Sequence, residues 1–240
     1  CYFLYTRQMK HLLKSFIVFI LQWEARLVLK KYKPKIVAIT GSVGKTSTKD
    51  AIHVALSAKY HVRKSEKSFN SEIGVPLTIL GAPNGWSNPI SWLVIFYNGL
   101  LLILFRRHFP QYLVVEVGAD RPDDIRKIAS WLLPDVVVIT RLSEVPVHIE
   151  FFPTVEDLVN EKSQLVRSLK AGGVLFLNED DEHTQKFASL VSSETKVVKY
   201  AVDSVADFRA SEPEVLYSSV MGVEMPHGQK CTVSSGNKSA

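Results

Sequence analysis

The sequence predicts an α/β fold: a mainly parallel sheet with helices on both faces, built around a phosphate loop and preceded by an apolar N-terminal helix. Three observations carry that expectation. Short β-rich runs alternate with helical patterns from Lys35 onward, as βαβ units require. The runs KIVAIT, YLVVEV and DVVVIT are almost continuously apolar, as strands buried on both faces are. The segment TGSVGKTST, Thr40 to Thr48, follows the first of these runs and opens a helical pattern.

Taken in order, Leu12 to Leu29 mix apolar and basic residues, and Lys14, Glu24 and Arg26 interrupt the run before it reaches spanning length. An amphipathic helix is predicted within residues 1–33. A signal peptide would need a small-x-small cleavage site, and none follows Trp23. Met9 opens MKHLLKSFIVFILQW and is the expected natural start. KIVAIT is then a strand, Lys45 to Leu56 a helix, and YHVRK a strand.

Pro89 to Phe105 carry no charge and are closed by Arg106 and Arg107, which is the short limit for a membrane-spanning helix. If the strands near Ile36 and Val115 belong to one sheet, a single crossing between them would place the two halves of one site on opposite sides of a membrane. The segment is therefore expected to be a helix packed on the domain or on the N-terminal helix, or one lying in a membrane interface through its Trp, Phe and Tyr. Both alternatives stay open. YLVVEVG, DVVVIT and GVLFLN follow as strands, with helices from Asp123, from Val155 to Leu169, and from Asp181. The polar run Ser234 to Ala240 shows no strand or helix pattern, and the chain is expected to be a fragment. The expected organisation is a helix at 1–33 and a nucleotide-binding domain at 34–240, truncated at its C-terminal end, with an apolar helical insertion at 82–110.

A chain of 240 residues with 46% hydrophobic content can bury one full core. Its net charge of +5 suits an anionic partner. Because the Lys and Arg residues are scattered, nucleic acid is not expected. Cys1 and Cys231 lie at opposite ends with no His or Cys cluster near either, which argues against a disulfide framework or a zinc site and for a reducing, cytoplasmic setting.

The chemistry concentrates after the strands, where ligands of open α/β sheets collect. In the loop, Gly41 and Gly44 allow the backbone to turn sharply, and the exposed amides among Thr40, Gly41, Ser42, Val43, Gly44, Lys45, Thr46 and Ser47 supply an anion site at a helix start. Lys45 would neutralise the β- and γ-phosphates, and the Thr46 hydroxyl would ligate Mg2+. The loop lacks the first glycine of the longer general phosphate-loop pattern. Glu116 closes a buried strand, where a carboxylate is costly unless a cation offsets it.

The loop TGSVGKTST, with KSFNSEIGVPLTIL (Lys67 to Leu80), LVVEVGADRPDDI (Leu113 to Ile125), PDVVVITRLSEVPVHIEFFPTVEDLVNEKSQLV (Pro134 to Val166) and GGVLFLNEDDE (Gly172 to Glu182), closely resembles the Mur ligase family, and within it the MurF type. The resemblance covers most of Lys35 to about Tyr200. It implies an ATP-dependent carboxylate–amine ligase of peptidoglycan precursor synthesis that joins D-alanyl-D-alanine to a UDP-muramoyl tripeptide. It also implies two Mg2+ ions: Thr46 and Glu116 hold one, and His148 with a CO2-carbamylated Lys162 holds the other. Carbamylation turns an ammonium into an anionic oxygen ligand that hard Mg2+ prefers. Asn70 matches a family residue near the phosphates, with Ser68 and Ser71 where the family has further asparagines. Asp123 stands where a glycine is common. Asn178 and Asp181 are implied as contributors to the nucleotide site.

Set against the family, a short apolar helix is expected in the place of the UDP-sugar domain, and the third domain is expected beyond Ala240. The chain alone is therefore expected to bind nucleotide without ligating. Three rival readings are a Mur-like ligase of other specificity, a nucleotide-binding module held at the inner face of a membrane by the two apolar helices, and a phosphate-loop kinase, which would not need the His148/Lys162 pair.

Overall fold

A computed structural model of the chain describes residues 2–66, 69–142, 151–220, 223–236 and 238–239, with side chains described for 12–66, 69–142, 151–219 and 223–236. The expected α/β architecture is present. Strands β1 (Lys35–Thr40), β2 (Val62–Lys64), β3 (Tyr112–Glu116), β4 (Val136–Ile139), β5 (Val174–Asn178), β6 (Lys196–Ala201) and β7 (Phe208–Ala210) pair in parallel, in the order β7-β6-β5-β4-β1-β3-β2. The strand order reverses at β1, which lies between β3 and β4. The crevice beyond their carboxyl ends is where such sheets bind ligands.

Alternation along β1 explains the two-sided burial. Ile36 and Ala38 enter the large core with helices on one face, while Val37 and Ile39 join Val114 and Val138 under Ile52 and Leu56 on the other. Those last two belong to α2 (Lys45–Ser57), the helix that the phosphate loop opens.

The expected N-terminal helix is present as α1 (Tyr2–Tyr32), and it stops where Lys33 turns to φ 50 ahead of Pro34. Ile17, Leu21, Ala25 and Val28 recur at helical spacing and are buried. They pack on α3 (Gly74–Leu80) and α4 (Pro89–Leu104). Asn88 caps α4, its side chain accepting from the Ile90 and Ser91 amides, with Pro89 at the first helical position. The far end of α4 is closed by α1: Lys31 Nζ donates to the carbonyls of Leu102, Ile103 and Phe105, and Tyr32 Oη to those of Leu102 and Phe105. The segment packs on α1, with Trp92, Ile95 and Gly99 as its buried residues.

On the large-core side lie α5 (Asp124–Ala129) and α6 (Val155–Arg167). Helix α6 starts at a capping box in which Thr154 and Asp157 satisfy each other's amides.

Two expectations fail near the C-terminus. The helix expected from Asp181 is a 3-10 turn (Glu182–Thr184) running into a single turn, α7 (Gln185–Ala188). The polar run after Ser234 does carry strands: β10 (Val233–Ser235) pairs antiparallel with β7, and β11 (Lys238–Ser239) with β10. Edge strands held by backbone pairing alone need no apolar alternation, so their sequence gives no signal. Between β7 and β10, β8 (Glu214–Val220) and β9 (Val223–Lys230) form a separate antiparallel hairpin with a largely exposed face.

Candidate functional site

The loop between β1 and α2 has the backbone its glycines allow. Gly41 sits at φ 152 and Gly44 at φ 84, both positive, where a side chain is strained. The Ser42 and Val43 amides donate to the Arg141 carbonyl at 2.8 and 3.2 Å, which fastens the loop to the end of β4. A Cβ added at Gly41 would overlap the Thr140 hydroxyl. Thr40 is fully buried beneath the loop and its hydroxyl has no partner, so it supports the site without lining it. Thr46 and Ser47 face outward from the first turn of α2.

Lys45 curls back over the loop, donating to the carbonyl oxygens of Gly41 at 2.9 Å and Ser42 at 3.1 Å. Burial lowers its pKa, while Glu116 and Asp120 act in the opposite direction. The Thr46 hydroxyl donates to Glu116 Oε2 at 3.0 Å, and Asn70 Nδ2 to Glu116 Oε1 at 3.4 Å. The end of β3, the start of α2 and the loop before α3 therefore meet at one buried carboxylate. Ser65 orients it by accepting the Glu116 amide proton at 3.1 Å. Asn70 is held in turn by Gly118, whose amide donates to the Asn70 carbonyl and whose missing Cβ would stand 2.9 Å from Asn70 Nδ2.

Lys162, on α6, is only 3% exposed, and its Nζ donates to the Gly41 carbonyl at 3.1 Å. Burial, reinforced by the Lys45 charge and partly offset by Glu161, pushes its pKa down to about 7. Lys45 and Lys162 share a cavity of about 240 Å³ with Gly41, Ser42, Asn70 and Asp120.

Lys45, Thr46, Glu116, Asn70 and Lys162 are thus brought together at one rim of the sheet. His148 lies outside the described residues. Asn178 ends β5 and lines a different cavity, of about 490 Å³, with Arg141, Asp180 and Asp203. Asp181 is 7% exposed with both oxygens engaged, accepting from the Leu142 and His183 amides, so it ties the ends of β4 and β5 together and does not face either cavity.

The reading from sequence did not single out Ser65, Gly118 or Glu161. A serine after a short strand and a glycine after Glu116 carry no motif of their own. Glu161 stood directly before Lys162, but nothing in its helical pattern marked it as buried.

The residues fit the groups that the resemblance implies. Thr46 Oγ1 and a buried carboxylate supply the hard oxygen donors that Mg2+ takes. A lysine whose pKa lies near 7 has a substantial neutral fraction, the form that adds CO2.

The Mur ligase middle domain model matches residues 39–90 and 99–236. The UDP-N-acetylmuramoyl-tripeptide–D-alanyl-D-alanine ligase of Bacillus subtilis is 27% identical over 208 residues, which cover 85% of this chain and 39% of that protein. MurF from Acinetobacter baumannii superposes with a TM-score of 0.67 at 21% identity, over 92% of this chain and 40% of that one. MurF ligase from Thermotoga maritima in complex with ADP gives 0.66 at 22% identity, over 93% and 43%. The chain spans about two fifths of the length of the curated relative and solved structures named here.

Proposed function

This chain belongs to the Mur ligase family through its middle domain, and from that premise we propose that it is the ATP-binding core of a MurF-type carboxylate–amine ligase. In this reading it serves peptidoglycan precursor synthesis, and so cell wall and cell shape, by joining D-alanyl-D-alanine to a UDP-muramoyl tripeptide. The observation that carries the reading is the contact between Thr46 and Glu116, which joins the phosphate loop to the end of β3 beside Lys45.

The work assigned to the residues is positioning and charge neutralisation. The amides of Gly44 to Ser47 at the start of α2 cradle the phosphates, and Lys45 leaves its carbonyl partners to neutralise the γ-phosphate as the substrate carboxylate attacks it. That attack breaks the bond to the β-phosphate, releases ADP and gives an acyl phosphate, which the amine then attacks, losing a proton and expelling phosphate. Thr46 and Glu116 would hold one Mg2+, and a carbamylated Lys162 with His148 the second; bound there, the ions would offset phosphate charge. Lys162 is placed to orient the loop through Gly41. The cavity of Arg141 and Asn178 leaves room for the nucleoside end. Residues 34–240 are taken as the family's central domain. The stretch 82–110 is taken as an apolar helical insertion; within it the family model leaves only 91–98 unmatched, inside α4.

Titration of the chain with ATP in the presence of Mg2+ tests the core of this reading. Saturable binding that Lys45→Ala abolishes is expected. Absence of magnesium-dependent binding at millimolar ATP would overturn it.

A second reading concerns location. Among the described residues no helix is long and apolar enough to cross a membrane. Leu12, Phe16, Phe19 and Trp23 on α1, and Ile90, Leu93, Tyr97 and Leu104 on α4, are nevertheless exposed. This surface suits peripheral contact with the inner face of a membrane by a cytoplasmic protein. Flotation with anionic liposomes should carry the chain upward, and loss of residues 1–30 should abolish it.

A further inference from the structure

Next to Lys162 in sequence, Glu161 carries a buried carboxylate that contacts the start of α5 and the loop before it. It is 7% exposed, and it accepts the amide of Asp123 at 2.9 Å through Oε2 and that of Ile125 at 2.7 Å through Oε1. A carboxylate so buried is costly unless its oxygens are satisfied, and two charge-assisted bonds to backbone amides satisfy both.

The segment it grips is held against its own preference. Asp123 sits at φ 71, in the left-handed region that costs a residue with a Cβ on the order of 1 kcal/mol. That backbone accounts for glycine being the residue expected here. Asp124 Oδ2 fastens the preceding turn by accepting from the Asp120 and Arg121 amides at 3.2 and 2.9 Å. The stretch Gly118 to Asp120 then forms the cavity wall opposite Lys45 and Lys162.

We propose that Glu161 is a positioning residue for nucleotide binding: it pins the loop after β3 to α6 and so fixes the spacing between that loop and the phosphate loop. Successive helical side chains point about 100° apart. Glu161 therefore reaches the β3–α5 loop while Lys162 reaches Gly41, and one turn of α6 holds both walls. Gly118 in turn supports Asn70, which donates to Glu116, so a displaced wall would disturb the carboxylate that Thr46 contacts. The inference rests on the nucleotide reading given above.

The test compares wild type, Glu161→Gln and Asp157→Asn by calorimetric titration with ATP and Mg2+, together with thermal denaturation and hydrogen exchange at the amides of 123 and 125. Gln keeps the volume but can accept only one of the two amides. The expected result for Glu161→Gln is faster exchange at 123 and 125 and about tenfold weaker ATP binding. Asp157→Asn removes the negative charge from the capping box on the same helix and should lower the melting temperature while leaving ATP affinity unchanged. If Glu161→Gln does not fold, Glu161→Asp, which withdraws the carboxylate by one methylene, is expected to show the same weakening. ATP affinity within twofold of wild type, with exchange at 123 and 125 accelerated, would overturn this inference alone. A wild-type chain that binds no ATP would overturn the nucleotide reading and this inference with it.

Discussion

Lys45 and Lys162 converge on one acceptor, the carbonyl oxygen of Gly41, with Nζ distances of 2.9 and 3.1 Å. Two ammonium groups around one carbonyl repel each other, and the more deeply buried of the pair yields. Burial and the Lys45 charge lower the Lys162 pKa to about 7, whereas at Lys45 the lowering by burial is opposed by the carboxylates of Glu116 and Asp120.

The first prediction follows from that asymmetry. CO2 adds only to neutral amine, so carbamate on Lys162 should rise as pH increases through about 7, with neutral amine growing from roughly a tenth at pH 6 to nine tenths at pH 8. An ordinary lysine would do so only near pH 10.4. In 13C-bicarbonate the carbamate carbon resonance should appear over that lower range and be absent in Lys162→Arg. A midpoint near that of a surface lysine would contradict the assignment.

The second concerns the metal. With Thr46 Oγ1 and Glu116 meeting at 3.0 Å, chelation of Mg2+ should weaken ATP binding to wild type by about tenfold or more, the range of one lost charge-assisted contact. Thr46→Val should bind ATP about as weakly as chelated wild type and respond little to added Mg2+. A variant that keeps its magnesium response would remove Thr46 from the metal site.

How much of this could be read in the sequence depends on how local the signal is. The β1 loop was fully legible, because its glycines, Lys45 and Thr46 are adjacent and their strand and helix are predicted by apolar periodicity. Glu116 was legible as a carboxylate at a buried strand end. Its partners Ser65 and Asn70 were less so: they come from 51 and 46 residues away, and only tertiary folding brings them together. The burial of Lys162 was hidden for the same reason. Its helix reads as a solvated pattern, and what removes it from water is the phosphate loop 121 residues earlier. The terminal strands β10 and β11 were invisible because backbone pairing holds them at an edge.

The third prediction uses Gly41. Its positive φ and the overlap of any Cβ with the Thr140 hydroxyl give Gly41→Ala two separate penalties, together about 2–4 kcal/mol of stability. Thr140→Ala alone loses the hydroxyl bond to the Val43 carbonyl at 2.7 Å, worth about 1 kcal/mol. The double variant should be more stable than the sum of the single losses implies, because removing the hydroxyl relieves the overlap. Urea denaturation of all four proteins measures the coupling, and strict additivity would mean that the strain lies in the backbone angle alone.

The fourth prediction lies away from the site, where α1 meets α4. Glu24 is 1% exposed and packs against Gly99, its Oε2 has no hydrogen-bond partner, and burial raises its pKa from 4.5 to about 7. The folded protein therefore holds a proton that the unfolded chain releases above pH 4.5. Stability contributed by the neutral carboxyl is fully present below that pH and is lost as pH rises through about 7, beyond which the folded state carries a buried charge. Unfolding free energy should thus fall by about 2 kcal/mol between pH 5 and pH 8 from this group. Glu24→Gln, neutral throughout, should flatten most of that slope and be the more stable protein at pH 8. Gly99→Ala should destabilise at both pH values, since a methyl there overlaps the carboxyl whatever its charge. Denaturant titrations of the three proteins at pH 5 and pH 8 make the comparison, and a slope unchanged by Glu24→Gln would show that α1 and α4 part enough to hydrate the carboxylate.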